Sequence, residues 1–317
     1  DDVAASVQSC GSTGFRETEV TVDGTPAGVA PVYPWIFTGG IDPYLWEPIV
    51  GVQTYDFKPY RVDLTPFAGL LSDGKSHSVA LSVFNADNYF STTASLLVYR
   101  DAGAKRVTGG VARNTLAAAP VPAVKENLVT AADGSITGNV TVASTRDFVI
   151  AGYVYTSHGR VDTSVAQHLA FSNSQNFTIS DTTYIQDITQ KTKLTATTTT
   201  NGAVDVQERN WPLALKIAYV VAADGTAAQT TTVKQTDDDS VVDTIGFLPV
   251  GFATRSNVVS TTDTLQFDAS GNLTGLANRN ASQDYFGANG DGACYSRSLV
   301  AASGKFTTIT DGKACGF

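Results

Sequence analysis

Sulfur, charge and helical pattern are all scarce in this chain of 317 residues. It has no methionine, three cysteines and three histidines. Without methionine, Asp1 is not an initiator, and the chain is expected to be a mature or cleaved piece of a longer product. Charged residues make up 16% of the sequence, the net charge is −9 and the isoelectric point is about 4.7. No cluster of Lys or Arg is available to follow a phosphate backbone, so nucleic acid is not an expected partner. No apolar run approaches the ~20 residues of a membrane-spanning helix, so no membrane partner is expected. His77, His158 and His168 are scattered, without metal-ligand spacing or a cysteine pair beside them, which argues against zinc. Ser157 and His158 are adjacent, and no Gly-x-Ser-x-Gly elbow accompanies them, so they read as a turn. Asn289-Gly290-Asp291-Gly292 lacks the run of oxygen ligands that a calcium loop supplies and also reads as a turn. No metal and no organic cofactor is expected.

The cysteines that are present carry information. Cys294 and Cys315 can close a short loop near the C-terminus, worth about 3 kcal/mol against the unfolded chain. Cys10 is then left over, which implies a free thiol or a bond to another chain. A partner encoded upstream is the favoured reading, with an unpaired buried thiol as its rival. Acceptor sequons stand at Asn139, Asn176, Asn272 and Asn280. With the odd cysteine and the acidic, Thr- and Gly-rich composition, they point to a secreted, extracellular glycoprotein.

What fills the chain is β pattern. Apolar and polar residues alternate over 19–22, 79–83 and 213–221. Turn signals recur at Asp23-Gly24, Asp73-Gly74, Asp133-Gly134, Asn201-Gly202, Asp224-Gly225 and Gly271-Asn272, several between strand-like runs as in hairpins. Short strands with frequent turns predict an all-β fold of two jelly-roll or β-sandwich domains. The small-residue and proline stretch RNTLAAAPVPAV marks a linker at 102–124. It separates a unit of residues 1–101 from a second sandwich of residues 125–317. The first unit is short for a jelly roll and is expected to be completed by strands from a missing upstream chain. TATTTT and TTTVKQTDDDS, though of low complexity, are read as solvent-facing strands and a tip.

The segment 31–67 is the densest in chemistry. It holds Trp35 and Trp46, further aromatics, four acids and Gly39-Gly40, and it is broken by Pro34, Pro43, Pro48 and Pro59. Prolines at that density exclude a central strand. Loops carrying flat apolar rings beside carboxylates suit a carbohydrate pocket, where sugar CH faces stack and acids bond the hydroxyls. A loop-rich jelly-roll core fits the same composition.

Several blocks resemble one family. FRETEVTVDG at 15–24, YPWIFTGGIDPYLWEPIVG at 33–51, YDFKPYRVDLTPF at 55–67 and LLSDGKSHSVALSVFN at 70–85 are similar to the plant and fungal acid peptide N-glycanases. YVYTSHGRVDT at 153–163 and CYSRSLVAASGKF at 294–306 resemble later parts of the same family. The Trp-Ile-Phe-Thr-Gly-Gly and Asp-Leu-Thr-Pro-Phe blocks, in this order and spacing, are the most specific.

The resemblance implies an amidohydrolase that removes N-linked glycans. Water attacks the side-chain amide of glycosylated asparagine, leaving aspartate and a glycosylamine, with an N-glycopeptide or glycoprotein as substrate. Such a site needs a carboxylate to activate water, donors for the oxyanion, and a groove for the innermost sugars. Glu17 of the Phe-Arg-Glu motif is the catalytic candidate, against the plain reading of a surface glutamate opening a strand. Arg16, Trp35, Trp46 and Asp56 are the substrate-binding candidates, with core packing as the rival for both tryptophans. Arg16 and Glu17 face apart on an extended chain, so one of the two reaches a site. Asp63 reads as a turn cap. Relatives carry a further key acid in an aromatic-rich segment before Phe-Arg-Glu, and no such segment occurs here. The resemblance therefore implies an upstream chain of the same precursor, forming a heterodimer. The alternative is a non-catalytic carbohydrate-binding or structural β-sandwich subunit.

Overall fold

The computed structural model describes residues 13–312. Within them the fold is nearly all β, as the alternation and turn signals predict, in two antiparallel sheets. The small sheet has three strands: β1 (Glu17–Val22), β2 (Thr25–Pro31) and β3 (Val79–Val83), in the order β2-β1-β3. Asp23 and Gly24 both take positive φ between β1 and β2, the conformation that an Asp-Gly hairpin turn requires.

The large sheet has eleven strands. They are β4 (Thr108–Asn114), β5 (Ala123–Thr130), β6 (Ile136–Thr156), β7 (Gly159–Ser180), β8 (Thr183–Thr200) and β9 (Ala203–Val221), then β10 (Ala227–Ile245), β11 (Leu248–Phe267), β12 (Leu273–Asn289), β13 (Cys294–Ala302) and β14 (Lys305–Asp311). From β6 to β14 each strand pairs with the next along the chain. The order is that of a meander, where a jelly roll interleaves distant strands. On its remaining edge β6 pairs with β5 along Ile136–Ala143 and with β4 along Ile150–Tyr155. Strand β4 lies inside the stretch that the sequence reads as a linker.

Strand length is the main correction. The turn signals stand where expected, but β7 runs for 22 residues, roughly 70 Å at the usual rise. In two other strands threonine tracts contribute to the length. TATTTT continues β8 and TTTVKQTDDDS lies within β10 rather than at a tip, because β-branched threonine suits a pleated surface.

One face of the large sheet is covered and the other is open. Phe148 and Ile150 of β6, Leu169 of β7, Trp211 and Leu213 of β9, Val233 of β10 and Val259 of β11 form the covered face. Against them pack Val22, Val29, Trp35, Leu45, Trp46, Ile49, Val52 and Phe67. The proline-broken segment thus lies as a loop layer on the sheet, and both parts of the chain share one core. A buried loop must still satisfy its backbone polar groups. The sheet supplies partners from its inner face. Gln235 accepts from Ile36 N at 2.8 Å and donates to Ile36 O at 3.1 Å, Gln167 donates to Val29 O, and Thr261 donates to Leu45 O.

The layer ends in a turn at Thr65–Phe67 and a short helix, α1 (Ala68–Leu71). These sit backbone to backbone on the sheet: a Cβ on Gly152 would lie 2.1 Å from Pro66 O, and one on Gly69 would lie 2.4 Å from the Gly109 backbone. Only glycine permits that approach. Asp63 accepts from Thr65 N at 2.9 Å, the turn cap read from the sequence.

Candidate functional site

The outer surface of the loop layer carries exposed aromatic rings. Tyr33, Phe37, Tyr55 and Phe57 are all exposed, Tyr55 to 89%. Tyr33 and Phe37 meet edge to face with ring centres 6.2 Å apart. The hydroxyls of Thr38 and Thr54 lie 2.7 Å apart, joining the two loops next to Phe37 and Tyr55. Between Tyr55 and Phe57 stands Asp56, its side chain 62% exposed. Lys58 Nζ lies 2.7 Å from one carboxylate oxygen and Arg255 Nη1 of β11 lies 3.5 Å from the other. Flat apolar faces around an oriented carboxylate are the elements of a sugar-binding surface.

Beneath this surface runs a buried polar row. Asp237 of β10 accepts from Trp211 Nε1 at 2.8 Å, Gln53 Nε2 at 3.0 Å and Arg255 Nη2 at 2.8 Å. Gln53 in turn accepts from Lys58 N. Arg209 of β9 contacts Asp239 at 3.3 Å and donates to Pro59 O. The loop 53–59 is therefore tied to the sheet at both ends and at its centre.

Arg16 lines a cavity of about 100 Å³ with Phe15, Pro31, Tyr33, Pro34 and Gln190. It stands beside the aromatic surface, since Tyr33 belongs to both. A larger open groove of about 360 Å³ lies over β8–β11, lined by Lys191, Lys193, Glu208, Asn210 and Asp238 among others. That groove has no aromatic lining and holds none of the residues singled out from the sequence.

The remaining sequence candidates lie elsewhere. Glu17 is buried between the two sheets at 1% exposure, with Arg146 Nε of β6 3.5 Å from its carboxylate. Among the described residues neither Glu17 oxygen has a hydrogen-bond partner. Burial pushes its pKa up to about 7, with Arg146 pulling down and Glu19 adding to the rise. It opens a strand as expected, but it faces the core instead of a cleft. The two residues do face apart, and Arg16 is the one that reaches a cavity. Trp35 and Trp46 are also corrected. Trp35 is buried 6.2 Å from the Trp211 ring, and Trp46 is buried with its Nε1 donating to Gly40 O. The largest rings gain most from burial, so the core takes both tryptophans, while Tyr33, Phe37, Tyr55 and Phe57 stay outside.

Two buried acids, Asp42 and Asp263, lie together under the same layer. Asp263 of β11 is fully buried, and burial together with Asp42 pushes it up to about 7. Asp42 accepts from Tyr44 N and Leu45 N, holding the turn that leads to Trp46. Ser157 and His158 sit in the exposed β6–β7 turn, where Asp101 accepts from Ser157 N and Oγ. The acid there serves the serine rather than the histidine, and the turn reading stands. Asn176, Asn272 and Asn280 are exposed and Asn139 is half-buried. Cys294 opens β13, whereas Cys10 and Cys315 lie outside the described residues.

Comparison with known proteins finds one family and one curated relative similar to part of the chain. Residues 2–116 match the family model described as peptide N-acetyl-beta-D-glucosaminyl asparaginase amidase A. Peptide-N4-(N-acetyl-beta-glucosaminyl)asparagine amidase A of Prunus dulcis is 33% identical over 164 residues, 52% of this chain and 28% of that relative. The chain thus spans less than a third of the length of that curated relative. No solved structure matches the chain. The matched segment contains the aromatic surface, Arg16 and Asp56, while Arg255, Asp237 and Trp211 lie beyond it. Residues 2–116 are thus similar to the peptide N-glycanase A-type amidases, and the likeness to that relative extends over about half of the chain.

Proposed function

We propose that this chain takes part in removing N-linked glycans by hydrolysis of the glycosyl-asparagine amide, releasing a glycosylamine and leaving aspartate. The observation that carries the reading is the exposed Tyr55-Asp56-Phe57 surface within the family-matched segment. The rings offer stacking faces for the innermost sugars. Asp56 accepts from a sugar hydroxyl or an N-acetyl N–H, and Arg16 offers a cation at the neighbouring cavity. Amide hydrolysis also needs a carboxylate to activate water and donors for the oxyanion.

Glu17 is enclosed, so its part is to hold the small sheet to the large one. The proposal assigns the water-activating acid to a further polypeptide of the same precursor. Two features support a polypeptide partner. Among the described residues strand β3 is an edge, paired on one side to β1, and Leu96, Leu97, Val98 and Tyr99 further along the chain are exposed. Exposed apolar residues and a sheet edge are features that an added strand would cover. Secretion is part of the same reading, and three exposed sequon asparagines support it.

The burial of Glu17 also favours a second reading, a carbohydrate-binding subunit without chemistry of its own. Mass spectrometry of a defined N-glycopeptide, incubated with the native protein and its partner at mildly acidic pH, separates the two. Release of the whole glycan with asparagine converted to aspartate supports the amidase. A glycopeptide that is bound but unchanged supports the binding subunit, and one neither bound nor changed sinks both.

A further inference from the structure

We propose that Arg255 is a positioning residue for Asp56, and that the large sheet thereby forms a working part of the glycan surface. The inference rests on the functional reading above. Arg255 belongs to β11, outside the family-matched segment. Its guanidinium is 12% exposed and faces three carboxylates: Asp237 at 2.8 Å, Asp56 at 3.5 Å and Asp239 at 3.8 Å. Asp237 is itself buried and accepts from Trp211 and Gln53 as well. This fixes the guanidinium from below, so one of its faces is left for Asp56.

An ion pair to a carboxylate as exposed as Asp56 contributes little to stability in water. Its effect is geometric. A rigid, planar guanidinium anchored at one end holds the second carboxylate in one orientation, which a flexible lysine ammonium does not. Asp56 stands between Tyr55 and Phe57, so its orientation fixes where a hydroxyl or amide N–H is received relative to the two ring faces. Lys58 gives Asp56 a second positive neighbour but is itself half-exposed, leaving Arg255 as the fixed end of the arrangement.

Removing Arg255 outright would leave Asp237 buried without its cation, and the variant could fail to fold. The test therefore uses Arg255→Lys, Asp56→Asn and the double variant, with a chitobiose-asparagine peptide as probe and calorimetric titration as readout. Arg255→Lys is expected to weaken binding about tenfold, the effect of one well-placed charge-assisted hydrogen bond. The double variant is expected to bind no more weakly than Asp56→Asn alone, because Arg255 acts through Asp56. Wild-type affinity in Arg255→Lys, or losses that multiply in the double variant, would overturn the proposal. Hydrogen exchange gives an arm that needs no ligand. Arg255→Lys should speed exchange across 54–58 and leave β10 unchanged, and an unaltered 54–58 would overturn the positioning role. Absence of probe binding by the wild-type protein would sink the functional reading, while the exchange arm still decides whether Arg255 holds the loop.

Discussion

Arg146 and Glu17 face each other 3.5 Å apart across the two sheets, with their side chains 7% and 1% exposed. Arg146 also donates to Ala117 O, whereas the glutamate oxygens receive no hydrogen bond from the described residues. Truncating the cation leaves a buried carboxylate without its partner. Arg146→Ala is expected to cost roughly 3 kcal/mol in urea unfolding at neutral pH. Glu17→Gln should cost much less at pH 5, where the native carboxyl is already protonated.

Stability should fall as pH rises from about 4.5 towards about 7. Glu17 and Asp263 are both raised to about 7 in the fold, against ordinary carboxylate values in the unfolded chain. In that window the folded chain holds protons that the unfolded chain has released, so each unit of pH destabilises it, on the order of 3 kcal/mol per group over the whole range. Thermal unfolding between pH 4 and 8 reads the slope. Glu17→Gln and Asp263→Asn should each flatten it, and an unchanged slope in both would refute the assignment.

The exposed and the buried rings should separate stability from binding. Tyr55→Ala and Phe57→Ala are expected to leave Tm nearly unchanged, because exposed side chains contribute little to stability. Each should weaken glycopeptide binding by about 1 kcal/mol. Trp46→Ala should instead cost roughly 3–5 kcal/mol of stability through the cavity that it leaves. A Trp46 variant that is fully folded but fails to bind would return that ring to the sugar surface.

The contact of α1 and its preceding turn with the sheet depends on the missing side chains. Gly152→Ala would drive a methyl group to 2.1 Å from Pro66 O, forcing the turn away at an expected cost of about 1–3 kcal/mol. Denaturant titration checks it, with Gly110→Ala as control, since a Cβ there meets nothing within 4 Å.

Much of this architecture was legible before any coordinates. The paired turn residues mark hairpins because they alone take positive φ at low cost. Prolines between 34 and 59 take that segment out of any sheet. Strand length is not legible, because runs of polar residues such as those in β8 and β10 carry no apolar alternation to mark how far a strand extends. A resemblance singles out Asp56, Arg16 and the two tryptophans; Asp56 lies at the surface and Arg16 at a cavity, whereas Trp35 and Trp46 take the core reading that rivalled stacking. Sequence shows which aromatics are large, but the position of the sheet decides which of them are covered. Arg255 and Asp237 carry no local signal: their relation to Asp56 exists only once strands about 200 residues distant lie beneath the loop.

The one-after-another order of the large sheet has a consequence for how the chain folds. Each hairpin can zip onto its predecessor using contacts close in sequence, which is the fast route. The loop layer cannot. Ile36 finds both of its side-chain partners on Gln235, 199 residues away, so its contacts form only after β10 is in place. The aromatic surface is therefore the last part of the molecule to be set, and in hydrogen exchange it should be the first to open.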